Sequence, residues 1–188
     1  TDTDWATAAN WDINTVPSAT DNVIIPDVAT APIIGATTEA EINNLTITEP
    51  DGINITTGGS LIVNGTSSGN VTYNRDLATT NWYLVSSPVV GETYDDAYVT
   101  ANGIASGTQN TNSRGIAPYV TSDDTWDYMQ AGETATFSAG TGYSVQRSST
   151  GDVSFTGTLN VADAGVDVVL DATGNRYNLL GNPYSSHI

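Results

Sequence analysis

Short runs that alternate apolar and polar residues dominate this sequence, and Gly, Asn, Asp and Pro separate them. The alternation has the two-residue period of a half-buried strand, whereas the 3.6-residue period of an amphipathic helix is nearly absent. The pattern therefore predicts an all-β fold. The candidate strands span residues 22–25, 41–48, 53–56, 60–63, 70–73, 82–86, 117–120, 125–129, 134–138, 143–147, 153–158, 166–170 and 176–180.

The strand pattern changes along the chain, which predicts two regions. In residues 1–73, very short strands with Gly or Asn corners follow one another, as in 44–48 and 59–65. Each unit can bury its few apolar residues only against the next, which indicates a β-solenoid-like or stacked-strand layer. In residues 74–188 the strands lengthen and aromatic residues concentrate, which favours an antiparallel β-sandwich. Both regions could also share one core.

One strand-and-turn signature occurs almost twice. Residues 82–89 read WYLVSSPV, and residues 177–184 read YNLLGNPY. In each copy an aromatic residue opens an apolar run, and a proline, which lacks an N–H, ends the ladder. If the copies are equivalent, Leu84 and Leu179 are both buried. The alternative is that a sequence pattern common at the ends of strands recurs here by chance. Because the second copy lies near the last residue, we expect this sequence to belong to a larger multidomain chain.

The charge of the chain excludes several classes of function. There are 21 acidic residues against four arginines, with no lysine and no cysteine, and the net charge is −17. Such a surface repels phosphates, so we expect no nucleic-acid binding, and the short apolar runs predict no membrane insertion. The lack of cysteine excludes disulfides and thiolate chemistry, and His187 is the one side chain that could act as a base near neutral pH. We therefore expect no catalytic activity.

Three stretches carry a resemblance to a known kind of module. They are WDINTVPSATDNVIIP at residues 11–26, NNLTI at 43–47 and GSLIVNG at 59–65. Together they resemble a module of large secreted and cell-surface proteins of the Bacteroidetes, and the two signatures described above are similar to strands that follow it, often before a C-terminal secretion and sorting domain. The resemblance implies an extracellular or cell-surface location. It implies little about function, because the host proteins range from adhesins to polysaccharide-degrading enzymes.

Acidic loops offer candidate ligands for calcium, which takes six to eight oxygen ligands on tight turns. None of the loops matches the EF-hand pattern, and solvated acidic loops without a metal are the alternative. The two leading groups are Asp123, Asp124 and Asp127, and Asp95 with Asp96. A third group consists of Asp2, Asp4, Asp12 and Asp21.

Aromatic residues near these loops offer candidate sugar contacts, because neutral sugars stack on aromatic faces while carboxylates and amides bond their hydroxyls. The candidates are Trp126, Tyr128, Tyr119 and Tyr94. Trp126 lies within an acidic loop, although a core position remains open for it, whereas the alternation around Trp82 predicts a core residue. We therefore expect a non-catalytic extracellular module that binds a polysaccharide or surface glycan. The alternative is a structural spacer or adhesin stalk that binds only calcium or neighbouring units.

Overall fold

The computed structural model describes residues 2–186, and strands make up almost all of its regular structure. This confirms the prediction of an all-β fold. The described residues include one 3₁₀ turn (Ala8–Asn10) and one short helix, α1 (Asp96–Ala101), and no helix among them is long and apolar enough to cross a membrane. The strands are β1 (Asn22–Ile25), β2 (Ile33–Ile34), β3 (Glu39–Ile42), β4 (Asn44–Ile47), β5 (Ile53–Ile55), β6 (Ser60–Val63), β7 (Ser67–Ser68), β8 (Val71–Leu77), β9 (Tyr83–Val85), β10 (Val89–Val90), β11 (Thr93–Tyr94), β12 (Ile116–Val120), β13 (Thr125–Trp126), β14 (Ala135–Thr136), β15 (Tyr143–Val145) and β16 (Gly151–Leu159).

The first part of the chain stacks its strands in parallel. β4 lies between β1 and β7, β5 lies between β2 and β8, and β3 pairs with β6. The register places like side chains side by side: Val23 pairs with Leu45, and Ile34 pairs with Ile55. All four are buried. We call the successive layers β1–β3, β4–β6 and β7–β8 rungs. Each rung covers the apolar residues of the rung before it.

Asparagine and glycine form the corners between these rungs. The side-chain amides of Asn43 and Asn44 donate to Oδ1 of Asn22 over 3.0 and 2.6 Å. Gly52 has a φ of 73°, and a Cβ there would lie 2.2 Å from the carbonyl oxygen of Asn70. Because only glycine combines this φ with so close an approach, the corner residues set the spacing of the stack.

β8 connects the parallel strands β1–β7, which we call the stack, to the rest of the molecule. It pairs in parallel with β5 and antiparallel with β16, so one five-stranded sheet, β10-β16-β8-β5-β2, runs through both parts. The boundary expected after residue 73 falls inside β8. One cluster of buried side chains includes Ile53 of the stack and Phe155 of β16. Both regions therefore contribute to a common core.

The second part contains a four-stranded antiparallel sheet, β13-β12-β15-β9, beside an aromatic core. Phe137 is the centre of this core. Its ring centroid lies 4.7 Å from that of Tyr94, 5.3 Å from Tyr98, 4.8 Å from Tyr143 and 5.1 Å from Phe155. Tilted and edge-to-face contacts of this kind add to the free energy gained from burial of the rings.

The two near-repeated signatures do not occupy equivalent positions. The first copy supplies β9, in which Leu84 is 65% exposed, so the expectation that Leu84 is buried is wrong. The second copy forms no strand and makes one antiparallel bridge, between Leu180 and Thr141. Residues 166–170, which were also expected to form a strand, form none.

The two signature segments nevertheless meet in space. Ser86 Oγ donates to the carbonyl oxygen of Asn182 over 2.7 Å. The side-chain amide of Asn160 donates to the carbonyl oxygens of Pro88, at 3.4 Å, and Pro183, at 2.8 Å. The carbonyl groups of the two signature prolines thus accept from the same donor, the Asn160 amide, although the two segments differ in secondary structure.

Candidate functional site

The four-stranded sheet turns one face towards the core. Successive side chains on a strand point to opposite faces, and Ile116, Tyr143 and Val145 point inwards. Their exposed fractions are 0%, 3% and 0%. Val85 of β9 is buried on the same side and pairs directly with Tyr143. The intervening residues of β12, β15 and β9 must therefore point outwards.

The outer face carries the predicted aromatic residues. Tyr119 pairs directly with Trp126, and Ser144 pairs with Ala117 on one side and with Leu84 on the other. Directly paired residues share a face of the sheet. Trp126 is 37% exposed and Leu84 is 65% exposed, whereas Ala117 and Ser144 are buried although they point outwards. A side chain from elsewhere on this face must therefore cover them.

Trp82 and Tyr128 contact each other on this face. Trp82 precedes β9 and Tyr128 follows β13, which are the two outermost strands and lie about 14 Å apart at ordinary strand spacing. Their ring centroids are nevertheless 5.6 Å apart, with an interplanar angle of 61°. The rings therefore meet between the two edge strands of the sheet. Trp82 remains 46% exposed, so its predicted core position is wrong.

Tyr119 and Trp126 form a second aromatic pair on this face. Their ring centroids are 5.4 Å apart at 65°, so the edge of one ring meets the face of the other. The Tyr119 hydroxyl donates to Oδ1 of Asp124 over 2.5 Å and accepts a hydrogen bond from the side-chain amide of Asn175. The bond to the Asp124 carboxylate raises the pKa of the Tyr119 phenol. This chain of bonds fixes the tyrosine ring against which Trp126 rests.

The hairpin between β12 and β13 presents its carboxylates beside Trp126. Asp123, Asp124 and Asp127 are all exposed. Asp124 adopts a φ of 56°, a left-handed conformation that Asp tolerates in tight turns. Thr121 Oγ1 donates to the carbonyl oxygen of Tyr177 over 2.7 Å, which ties the loop to the C-terminal segment. The site thus combines exposed indole surface with acceptors for hydroxyl groups.

Tyr94 does not belong to this surface. It is 7% exposed because β11 pairs with β14 and directs the ring into the aromatic core. Burial raises the pKa of Tyr94 to about 12. We therefore remove Tyr94 from the candidate sugar contacts, and Trp82 takes its place. Every residue from Trp82 to Val85 is apolar or aromatic, so the segment offers no contrast of apolar and polar residues to support the core position predicted for Trp82.

Asp95 and Asp96, two of the predicted metal ligands, make contacts within the fold. Asp95 caps the N-terminus of α1 and accepts from the backbone N–H of Tyr98 over 2.9 Å. Asp96 Oδ2 accepts from the N–H of Gly132 over 2.9 Å, and its other oxygen lies 3.6 Å from Nε of Arg114. An aspartate directly before a helix is a standard cap, and this signal was present in the sequence.

The other acidic groups remain dispersed. Within residues 2–186, no three acidic or histidine side chains lie close enough to share an ion. Asp2 accepts from the Asn10 side chain over 2.8 Å, a bond that lowers the pKa of Asp2. Asp21 accepts from the backbone and hydroxyl of Ser18, and the backbone bond is the main reason why the pKa of Asp21 is lowered. His187 lies outside the described residues.

Comparison with known proteins gives one partial match. The model of a family described as a domain of unknown function (DUF8693) matches residues 1–67. A search of curated proteins and a search of solved structures found no match. The matched segment contains β1 to β6 and the first residue of β7, and it ends before Trp82, so it includes none of the aromatic residues on the outer face.

Proposed function

We propose that this chain is a non-catalytic β module that binds a neutral glycan through the outer face of its four-stranded sheet. The observation that carries the proposal is the pair of exposed indoles, Trp82 and Trp126, each held by an edge-to-face contact with a tyrosine. Rings that are already ordered lose little entropy when a ligand binds, so they suit stacking on the C–H faces of sugars.

The charges around the face indicate which kind of glycan would bind. Asp123, Asp124 and Asp127 are exposed beside Trp126, and they can accept hydrogen bonds from sugar hydroxyls. The same carboxylates, in a chain of net charge −17, repel a polyanion. We therefore assign the site to neutral polysaccharides. We further propose, from the resemblance described above, that the module belongs to a secreted or cell-surface protein of the Bacteroidetes type.

We also infer that residues 22–77 form a short β-solenoid and that the remaining strands pack as a sandwich around Phe137. Segments of the same chain cover strands at both ends of the stack. The N–H of Trp5 donates to the carbonyl oxygen of Ile33 over 2.9 Å, and the N–H of Ala162 donates to that of Val63 over 2.9 Å. These contacts cover β2 and β6 but leave the edge of β1 open, so the stack is capped in part, which favours a discrete module over a spacer that grows by stacking.

Affinity electrophoresis tests the proposed function. Gels would contain mixed-linkage β-glucan, xylan or mannan, with alginate as the anionic comparison. We expect at least one neutral polysaccharide to retard the wild-type protein and alginate to have no effect. Trp126→Ala should weaken the retardation at least tenfold, because a central aromatic contact at an interface is commonly worth more than 1.4 kcal/mol. Its melting temperature should stay close to that of the wild type.

Controls separate this site from the alternatives. Trp126→Phe keeps an aromatic face and should bind better than Trp126→Ala. A parallel gel with EDTA tests calcium: retardation that disappears with the chelator would show that an ion orders the Asp123 to Asp127 loop, whereas unchanged retardation would exclude that role. No retardation by any neutral polysaccharide would contradict glycan binding and favour the spacer. Unchanged binding by Trp126→Ala would show that the outer face is not the site.

A further inference from the structure

A groove lies between the N-terminal segment of residues 2–17 and strand β1. Its volume is about 710 Å³, and every residue from Asn22 to Pro26 lines it. Two apolar side chains in its wall are largely exposed, Ile13 at 66% and Ile24 at 68%. The groove is remote in sequence from the outer aromatic face, and nothing in the proposed glycan site uses it.

β1 is an edge strand that presents free backbone groups along this groove. It pairs with β4 on one side and with no other strand in the described part of the chain. The N–H of Thr48 in the next rung donates to the carbonyl oxygen of Ile25 over 2.9 Å, so Ile25 directs its backbone groups towards β4. Neighbouring residues of a strand direct theirs to opposite sides. The N–H and carbonyl of Ile24 therefore point away from β4.

The neighbouring strand β2 shows how such an edge is covered. Residues 3–5 lie alongside β2, with a parallel bridge between Asp4 and Ile33. The N–H of Ile33 donates to the carbonyl oxygen of Thr3 over 2.8 Å, and the N–H of Trp5 donates to that of Ile33 over 2.9 Å. The N-terminal segment thus acts as one more strand over β2. Over β1 the corresponding position is the groove.

The polar groups of the groove define the charge of an incoming chain. Four carboxylates line it, and no lysine or arginine does; they belong to Asp2, Asp4, Asp12 and Asp21. Trp5 also lines it, is 1% exposed, and has an indole N–H with no acceptor among residues 2–186. A carbonyl group of an added strand could accept from this N–H, and basic side chains would meet the carboxylates.

We propose that an extended, basic peptide segment of a partner protein binds in this groove as an additional strand along β1. Strand addition of this kind takes its affinity from backbone hydrogen bonds and its specificity from alternate side chains. A sugar fits the groove less well, because Trp5 is buried and Trp11 packs edge-on against it with its own N–H bonded to the Trp5 carbonyl oxygen over 2.9 Å. A second copy of this chain is disfavoured by its charge of −17.

Nitrogen-15 NMR with a defined probe tests the proposal. The probe is the end-capped peptide Lys-Val-Lys-Val-Lys-Val-Lys, added up to millimolar concentration. We expect saturable shifts of the backbone amides of Asn22 and Ile24 and of the Trp5 indole N–H. The peptide Lys-Val-Lys-Pro-Lys-Val-Lys has the same charge but lacks one central N–H, and it should bind at least tenfold more weakly. The Glu-Val-Glu-Val-Glu-Val-Glu peptide should not bind.

Variants of the protein complete the test. Ile24→Pro removes the N–H that faces the groove and leaves the bonds to β4 in place, so peptide affinity should fall at least tenfold. Ile24→Thr keeps the N–H and should bind within a few-fold of the wild type. If Ile24→Pro does not fold, Asp12→Asn provides the second variant, and its affinity should fall several-fold with a weaker dependence on salt.

Three results would overturn the proposal. The first is the absence of shifts at Asn22, Ile24 and Trp5 with the basic peptide. The second is equal binding of the valine and proline peptides, which would show attraction by charge without strand addition. The third is a shift of Trp5 with a neutral polysaccharide, which would make the groove a sugar site. The test is independent of the outer aromatic face, so failure of glycan binding there leaves this outcome unaffected.

Discussion

The stack and the four-stranded sheet bury their residues by different means. In the stack, aliphatic side chains lie beside aliphatic side chains of the next rung, as with Ile25 beside Ile47 and Ile42 beside Val63. In the four-stranded sheet, one face packs on aromatic rings around Phe137, and the other face carries exposed Trp82 and Trp126. The stack therefore serves as a scaffold along its length and leaves an uncovered edge at one end. The outer face of the sheet keeps Trp82 and Trp126 exposed for binding, while Ala117 and Ser144 on the same face are covered.

Some polar side chains of the two regions also have different roles. At the corners of the stack, Asn22, Asn43 and Asn44 bond one another, so their amides are used within the scaffold. Around the outer face, the carboxylates of Asp123 and Asp127 are exposed and accept no side-chain bond among the described residues. The carboxylates beside the aromatic rings are thus available to bond a ligand.

The largest expected effect concerns the interior of the stack. Ile55 is fully buried between Ile34 and Tyr73 of the neighbouring rungs. Ile55→Ala should lower the free energy of unfolding by about 2–5 kcal/mol, because it leaves a cavity that the rigid rungs cannot close. Ile24→Ala, at a position 68% exposed, is the matched control and should change it by less than about 0.5 kcal/mol. Urea unfolding followed by circular dichroism measures both.

A loss below about 1 kcal/mol for Ile55→Ala would show that the rungs repack freely, contrary to the picture of a rigid scaffold. Equal losses for the two variants would show that exposure does not distinguish the two sides of the strands.

A smaller effect should appear in the aromatic core at alkaline pH. Burial raises the pKa of Tyr94 to about 12 and raises that of Tyr98 well above its ordinary value. Above pH 10 the unfolded state therefore loses its phenol protons before the folded state does, and stability should fall as the pH rises from about 10 to about 12. Tyr94→Phe should make this fall less steep. Melting temperatures at half-unit pH intervals measure it.

The control for this prediction is Tyr177→Phe, which alters a phenol that is 73% exposed and should leave the pH dependence unchanged. A stability that stays flat between pH 10 and pH 12, or an equal effect of the two variants, would show that the aromatic core does not hold its tyrosines in the neutral form.

The sequence was sufficient to predict the strands wherever the alternation was unambiguous. β1 and β6 begin and end where the pattern predicts them. The run 41–48 was expected to form one strand but forms parts of β3 and β4, because the chain turns a corner at Asn43. Alternation does not distinguish a strand that continues from one that bends between two sheets. Likewise, the helix α1 was missed because six residues are too few for a helical period to show.

The candidate site was predicted less completely than the fold. Trp126, Tyr119 and Tyr128 do lie together on one face, because a tight hairpin brings their strands side by side. Trp82 and Tyr94 exchanged their expected positions, since each lies in or beside a strand of only two or three residues, which is too short for the sequence to show its inward side. The grouping of distant segments, such as Trp82 against Tyr128, depends on tertiary pairing that the local sequence pattern does not contain.

The four tryptophans allow one direct test of the central claim, which is that the outer face binds the glycan and the stack serves as its scaffold. Trp5 and Trp11 belong to the end of the stack, and Trp82 and Trp126 belong to the outer face. The measurement is the shift of the four indole N–H signals during titration of nitrogen-15-labelled protein with the polysaccharide that retards it most. We expect the signals of Trp82 and Trp126 to move and those of Trp5 and Trp11 to stay. Movement of Trp5 and Trp11 alone, or of no indole at all, would contradict the account.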